Sequence, residues 1–466
     1  MTSIPLRSVA QEEPHPGHYE APYNLFIAAS LALGLGGGFL LSILLPLART
    51  LDWGWGGTQR WLVFVQVHGQ LQLIGFGGLF VIGKALRLMP RVSGRTLAFR
   101  SLIPLLIPAI GGYLILRSFA QPLDDGALRD AALAVSAALL LFGATAFAAI
   151  VWGTMLHRES RAEATGYFFA LGAGGALASA AINAVQTYQL LSDSLAAAPV
   201  LRQSALVFVE LFGFLVMFVA GVGTRAVPSL TGRPRLQVAP RVASLVLTAG
   251  VALFTAYALI AAERLPSETL IRMGDAGIIL TGVAFAMVVW ITGGLAPSSR
   301  VAPASRVQFW FVRSAYGWML VAAALSVWYG ARAFADGRPL DQFEFDAVRH
   351  VFTVGVLTMM IVGMAMLIIP EFAGRRLQHR DERWLHIVMI VALNLAAALR
   401  LWPALEGIDW LEDTRYWPIA ISGMLASGVV AVFAAMFAQS WWEQRDRSWS
   451  ARAAGIEPVT PVRQNP

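Results

Sequence analysis

The chain has 466 residues, 57% of them hydrophobic and 14% charged, and its mean hydropathy is +0.62. That balance excludes a soluble multidomain enzyme and points to an all-α, polytopic membrane helix bundle. The net charge of +7 and a pI of about 10.1 fit arginine-rich helix ends against anionic lipid and give no reason to expect nucleic acid as a partner. With no cysteine, the chain excludes disulfides, thiolate-ligated clusters and covalent c-type haem attachment.

Residues 1–22 are polar and proline-rich without an apolar core, so the expectation is a disordered cytoplasmic tail, not a cleavable signal. His15 and His18 are then solvated tail histidines. Apolar runs long enough to cross a bilayer follow, and they predict twelve helices. These cover 24–48, 61–87, 99–118, 129–153, 165–190, 204–228, 241–263, 271–294, 308–330, 347–370, 384–404 and 415–441. A second disordered cytoplasmic tail is expected from Glu443 onward, which leaves 23–442 as a single transmembrane domain. Breaks fall at turn and charge clusters such as Pro122–Gly126 and Gly337–Pro339. Basic residues such as Lys84, Arg91, Arg158, Arg233 and Arg375 concentrate in the even-numbered loops, whereas the odd loops hold Asp124, Asp125, Glu268 and Glu412. The positive-inside bias therefore predicts a multi-pass protein of a bacterial-type inner membrane with both termini cytoplasmic.

Polar groups inside such spans are costly and mark candidate sites. In the second span, Val65–Pro90, His68, Gln72 and Gly75 stand at i, i+4 and i+7, which predicts one shared helical face. That face would offer a ligand nitrogen, an amide and a side-chain-free notch for a flat group. His157, His379 and His386 fall at cytoplasmic helix ends and read as interfacial polar residues. His350 opens the tenth span at a depth similar to that of His68, which is roughly 10 Å into the second. Two neutral imidazoles at matching depth are what axial ligation of a haem iron requires. Glu210, Asn183 and Gln186 share this half of the bundle. Arg349 and Arg400 are candidate partners for haem propionates, set against a plain reading as snorkelling side chains. The glycines of the first two spans, and Met359, Met360, Met364 and Met366, read as packing.

The stretch Arg349–Gly374, RHVFTVGVLTMMIVGMAMLIIPEFAG, resembles the tenth helix of the haem–copper oxidase catalytic subunit in its His, Gly and terminal Pro-x-Phe-x-Gly pattern. Val67–Pro90 resembles the second helix of that subunit. The resemblance implies a haem–copper-oxidase-like arrangement with His68 and His350 as axial ligands of a low-spin haem. It departs at Val348, where those oxidases carry a further histidine, and at residues 204–263, which lack the copper-binding histidines. A standard oxygen-reducing binuclear centre is therefore not expected.

A nearer likeness is to the NnrS family, twelve-helix proteins reported to contain haem and associated with nitric oxide stress. Leu211–Thr231 is similar to that family's Gly-x-Arg-x-x-Pro-x-x-Thr segment. His350–Gly355 and Arg375-Arg376 are similar to its helix-10 block, and Arg400 falls where the family commonly has an arginine. Where the family typically has His-x-His, this chain has Gln66-Val67-His68, which weakens the case for copper. The resemblance implies a haem, expected to be of the b type. It further implies a response to nitric oxide or another diatomic gas, or electron transfer with a redox partner. Whether the chain is an enzyme stays open, the implied class being a haem-dependent oxidoreductase. Gln72, Gly75 and Glu210 complete the candidate cofactor surroundings. The alternative is a twelve-helix secondary transporter without haem, although residues 1–233 and 234–466 show no duplication in support of it.

Overall fold

The computed structural model describes residues 23–56, 58–156, 164–297, 301, 306–368, 380–404 and 414–453. His15, His18, His157, His379, Glu412 and the segment Arg375-Arg376 lie outside the described residues. Among those described, the regular structure is helical throughout. Twelve helices are long and apolar enough to cross a membrane. They are α1 (Tyr23–Thr50), α2 (Gln59–Ser93), α3 (Arg100–Ala120), α4 (Ala127–Met155), α5 (Ala164–Ser192), α6 (Val200–Thr231), α7 (Val238–Ala261), α8 (Glu268–Thr292), α9 (Arg306–Asp336), α10 (Gln342–Leu367), α11 (Arg383–Ala404) and α12 (Tyr416–Trp442). All twelve expected spans are present, and the differences lie at their ends.

The start of α10 is the instructive one, because it begins at Gln342 and not near residue 347. Asp341 accepts the Phe343 N–H at 2.8 Å, and Glu344 reaches back to accept the Asp341 N–H at 2.8 Å. This capping box fixes the helix start and places His350 well inside the helix, at a depth comparable to that of His68 in α2. At the other end of the chain, helix continues to Ala453, past Glu443 where a disordered tail is expected. The sequence Glu443–Ala453 is rich in Arg, Glu, Gln and Ala, which favour continuation of a helix.

The bundle is organised in thirds. A pattern Gly-x7-Gly-x6-Pro-x3-Gly-Arg occurs three times: from Gly75 to Arg95 in and after α2, from Gly213 to Arg233 in and after α6, and from Gly355 to Arg375 in and after α10. These three helices are 78%, 89% and 78% buried over their apolar windows, and among the described residues no other span exceeds 61%. They form the centre. The remaining helices surround them, with α4 on α5, α8 on α9 and α12 closing against α1. The repeated glycines admit equivalent contacts. A Cβ at Gly83, Gly221 or Gly363 would fall 2.6, 2.9 or 2.5 Å from the Cβ of Phe26, Phe168 or Phe311, on α1, α5 and α9. Without those side chains the helices approach closely enough to pack backbone against backbone, which is how helices associate in lipid. A Cβ at Gly77 would lie 3.0 Å from Leu215 and 3.2 Å from Leu357. Each of these three residues stands two positions after the first glycine of its own copy, so equivalent positions meet on one pseudo-threefold axis.

Each central helix is also interrupted around that first glycine by a π segment: Leu71–Gly78, Val209–Leu215 and Val351–Thr358. A fourth, Gly34–Phe39, lies in α1. Such segments disturb the regular hydrogen-bond ladder and rotate the following side chains. In α2 and α10 the interruption begins within three residues after His68 and immediately after His350.

Candidate functional site

The threefold arrangement creates three sectors between the centre and the ring. The first lies among α1, α2, α10, α11 and α12, and it contains both intramembrane histidines of the sequence argument. His68 Nδ1 faces the Gly38 carbonyl of α1 at 2.8 Å. His350 Nδ1 faces two oxygens of Asp346, the carbonyl at 3.0 Å and carboxylate Oδ2 at 2.9 Å. Only acceptors surround the two Nδ1 atoms, so each carries the ring proton and donates it, leaving Nε2 as the lone-pair nitrogen. Among the described residues neither Nε2 makes a hydrogen bond.

His68 lies within electrostatic range of His350, Arg400 and Asp346, which ties α2, α10 and α11 into one site. Arg349 donates to Asp346 Oδ1 at 2.9 Å and lies over the Phe345 ring, with its Nε buried and unpartnered. Arg400 is buried and donates through Nε to Ser422 of α12 at 3.1 Å. Two free imidazole nitrogens, flanked by two guanidinium groups, form a donor set that suits a bis-imidazole metal centre with an anionic periphery. The residues present thus fit a haem.

The second sector, among α6–α10, is filled with rings. Phe208 and Phe254 lie 4.2 Å apart, Phe285 and Phe352 4.7 Å, and Phe212 and Phe352 5.4 Å between centroids. This cluster of rings serves as a packed wall.

The third sector, among α2–α6, is polar and continuous. Gln70 donates to Glu210 Oε2 at 3.0 Å, Tyr113 donates to Gln70 Oε1 at 2.5 Å, and Asn183 donates to the Tyr113 hydroxyl at 3.0 Å. Thr187 donates to the Asn183 carbonyl and accepts from Arg117 at 3.2 Å. Every member is buried. Glu210 Oε1, Asn183 Oδ1 and Arg117 Nε lack partners, an unusual concentration of unsatisfied polar atoms for one site.

A family model described as NnrS protein matches residues 31–445, nearly the whole chain. The chain belongs to the NnrS family. No curated protein matches it.

In this NnrS chain the predicted site residues divide between sectors. His68, His350, Arg349 and Arg400 come together in the first. Gln72 joins them at its edge: a Cβ at Gly38 would meet Gln72 Cγ and Cδ at 3.0 Å. A Cβ at Gly75 would lie 3.4 Å from Leu114 and 3.5 Å from Leu33, at ordinary contact distance, so this glycine sits between α3 and α1. Glu210 belongs to the third sector, bonded to Gln70.

His386, expected at an interface, is buried (1% exposed). Its Nδ1 lies 3.3 Å from Gln308 Nε2 of α9, and its Nε2 is buried without a partner. Asp346 and Arg117 were not singled out by sequence reasoning. Asp346 had a usable signal, an acid four residues before a histidine on one helix.

Proposed function

We propose that this NnrS protein binds a haem b in the first sector, with His68 and His350 Nε2 as axial ligands and Arg349 and Arg400 facing the propionates. The observation that carries this reading is the paired hydrogen bond behind the two rings. α2 and α10 each contribute one imidazole whose Nδ1 proton is already committed to an oxygen, which is how metal-ligating histidines are held. The family's association with haem supports it as well. A bound haem supplies one-electron transfer and an iron that takes diatomic gases. The chain's own residues orient the imidazoles through Gly38 and Asp346, place two guanidiniums at the edge and wall the site off with phenylalanines.

The proposed role is a nitric oxide response or electron transfer with a redox partner. It is exercised from a bacterial cytoplasmic membrane with both termini cytoplasmic. Copper is doubtful because Gln66 stands where the family typically has the first histidine of its His-x-His pair. A second reading, transport without haem, draws on the buried Arg117–Glu210 chain. The usual transporter repeats divide a chain into halves, however, whereas this chain divides into thirds.

The test is a reduced-minus-oxidised visible spectrum of the purified protein beside His68→Ala and His350→Ala. A low-spin haem signature lost in both variants is the expected result. Absence of haem from folded protein made in a haem-replete host would sink the proposal and leave transport as the reading.

A further inference from the structure

We propose that His68 is the exchangeable axial ligand and His350 the permanent one, so that a diatomic gas enters on the His68 side. Asp346 is the positioning residue that sets this difference. The inference rests on the haem reading above.

The two histidines are held unequally. His350 Nδ1 donates to a carboxylate at 2.9 Å and also lies 3.0 Å from the carbonyl of the same residue, one helical turn earlier. Asp346 is itself fixed by Arg349 at 2.9 Å and interacts with Arg400. A carboxylate acceptor makes a stronger hydrogen bond than a carbonyl and makes the imidazole a better donor to a metal. His68 has one neutral acceptor, the Gly38 carbonyl at 2.8 Å, on a different helix. That carbonyl lies in the π segment Gly34–Phe39, sequence GLGGGF, which packs closely on α2 through Gly34, Gly37 and Gly38. Gly69, directly after His68, borders open space. A single hydrogen bond to a neutral carbonyl holds a ring less firmly than a carboxylate that is itself locked by an ion pair.

Release of His68 therefore disturbs a single neutral hydrogen bond between two helices. Release of His350 disrupts a charged cluster within α10. In the haem-loaded protein, His68 Nε2 would give up its donor bond as the gas supplies one, with no electron or proton moved.

The experiment uses reduced, haem-loaded protein and carbon monoxide as the probe, followed by stopped flow, with the iron–imidazole stretch read by resonance Raman on the five-coordinate state left when bound carbon monoxide is photodissociated. We expect His68→Gly to retain haem with one histidine bond and to bind carbon monoxide at least about tenfold faster than wild type, since no ligand must leave. Asp346→Asn should lower the iron–imidazole stretching frequency and, by loosening His350 so that it too can leave, speed gas binding by about tenfold, the low end of the effects that partners of metal-ligating histidines have on metal sites. If Asp346→Asn does not accumulate, the comparison of His68→Gly with His350→Gly decides the matter. Faster gas binding in His350→Gly, with haem loss in His68→Gly, would overturn the assignment. So would an unchanged stretch and rate in Asp346→Asn. A wild-type protein without haem defeats the functional reading instead, so the two failures are distinguishable.

Discussion

The histidine sector and the phenylalanine sector occupy equivalent gaps of one threefold scaffold, yet one is lined for ligation and the other is closed. The helix α10 borders both, with His350 on one side and Phe352, two residues later, in the ring cluster on the other. Counting back from the first glycine of each repeat, the position of His350 is held by Gln70 in α2 and Phe208 in α6. The position of His68 is held by Leu206 and Val348. The two histidines are therefore not copies of one another. The repeat supplies close-packed central helices with π segments, and single departures from it supply the chemistry.

The largest effect should come from exchanging what the two sectors do. Phe212 is fully buried among Phe208, Phe285 and Phe352, so Phe212→Ala should cost about 3–5 kcal/mol of stability. Thermal unfolding in detergent would show it, with the haem signature of surviving protein unaltered. His350→Ala should do the reverse, removing the low-spin spectrum with a smaller loss of stability. If Phe212→Ala abolished the spectrum while leaving stability intact, the division of labour between the sectors would fail.

Much of this was legible in the sequence, and the exceptions have physical causes. Span number followed from hydropathy, since lipid demands long apolar helices whatever their packing. The histidine pair followed from the rarity of such residues at that depth. The π segments were not legible, because Leu71–Gly78 and Val351–Thr358 have the same apolar composition as the helix around them. The threefold repeat was readable in the glycine and proline spacing, but a search for halves is blind to thirds.

Next in size is a backbone collision. A Cβ at Gly175 would run into the Gly213 carbonyl, and neither backbone can yield without moving α5 away from α6. Gly175→Ala should cost about 1–3 kcal/mol, or prevent accumulation of folded protein. It should do so without any polar group being touched. A comparable loss is expected for Glu210→Leu, because it strands the Gln70 amide donor in a buried site, at about 1–3 kcal/mol. Glu210→Gln keeps an acceptor and should lose less. Equal losses in the two variants would mean that the third sector relies on the charge of Glu210 and not on its hydrogen bond.

The smallest expected effect separates two glycines in one run. A Cβ at Gly36 would have nothing within 4 Å, so Gly36→Ala should be neutral or stabilise α1 by up to about 1 kcal/mol. A Cβ at Gly38 would lie 3.0 Å from the Gln72 side chain and 3.2 Å from its backbone nitrogen, and the Gly38 carbonyl serves His68. Gly38→Ala should therefore shift the haem spectrum and ease release of His68, with a modest loss of stability as Gln72 gives way. The contrast is local, two residues along the same π segment, so composition and helix propensity cannot produce it. If Gly36→Ala perturbed the spectrum as much as Gly38→Ala, the glycine run would act through general flexibility of α1. The specific contact between Gly38 and His68 would then lose its role in distinguishing the two axial histidines.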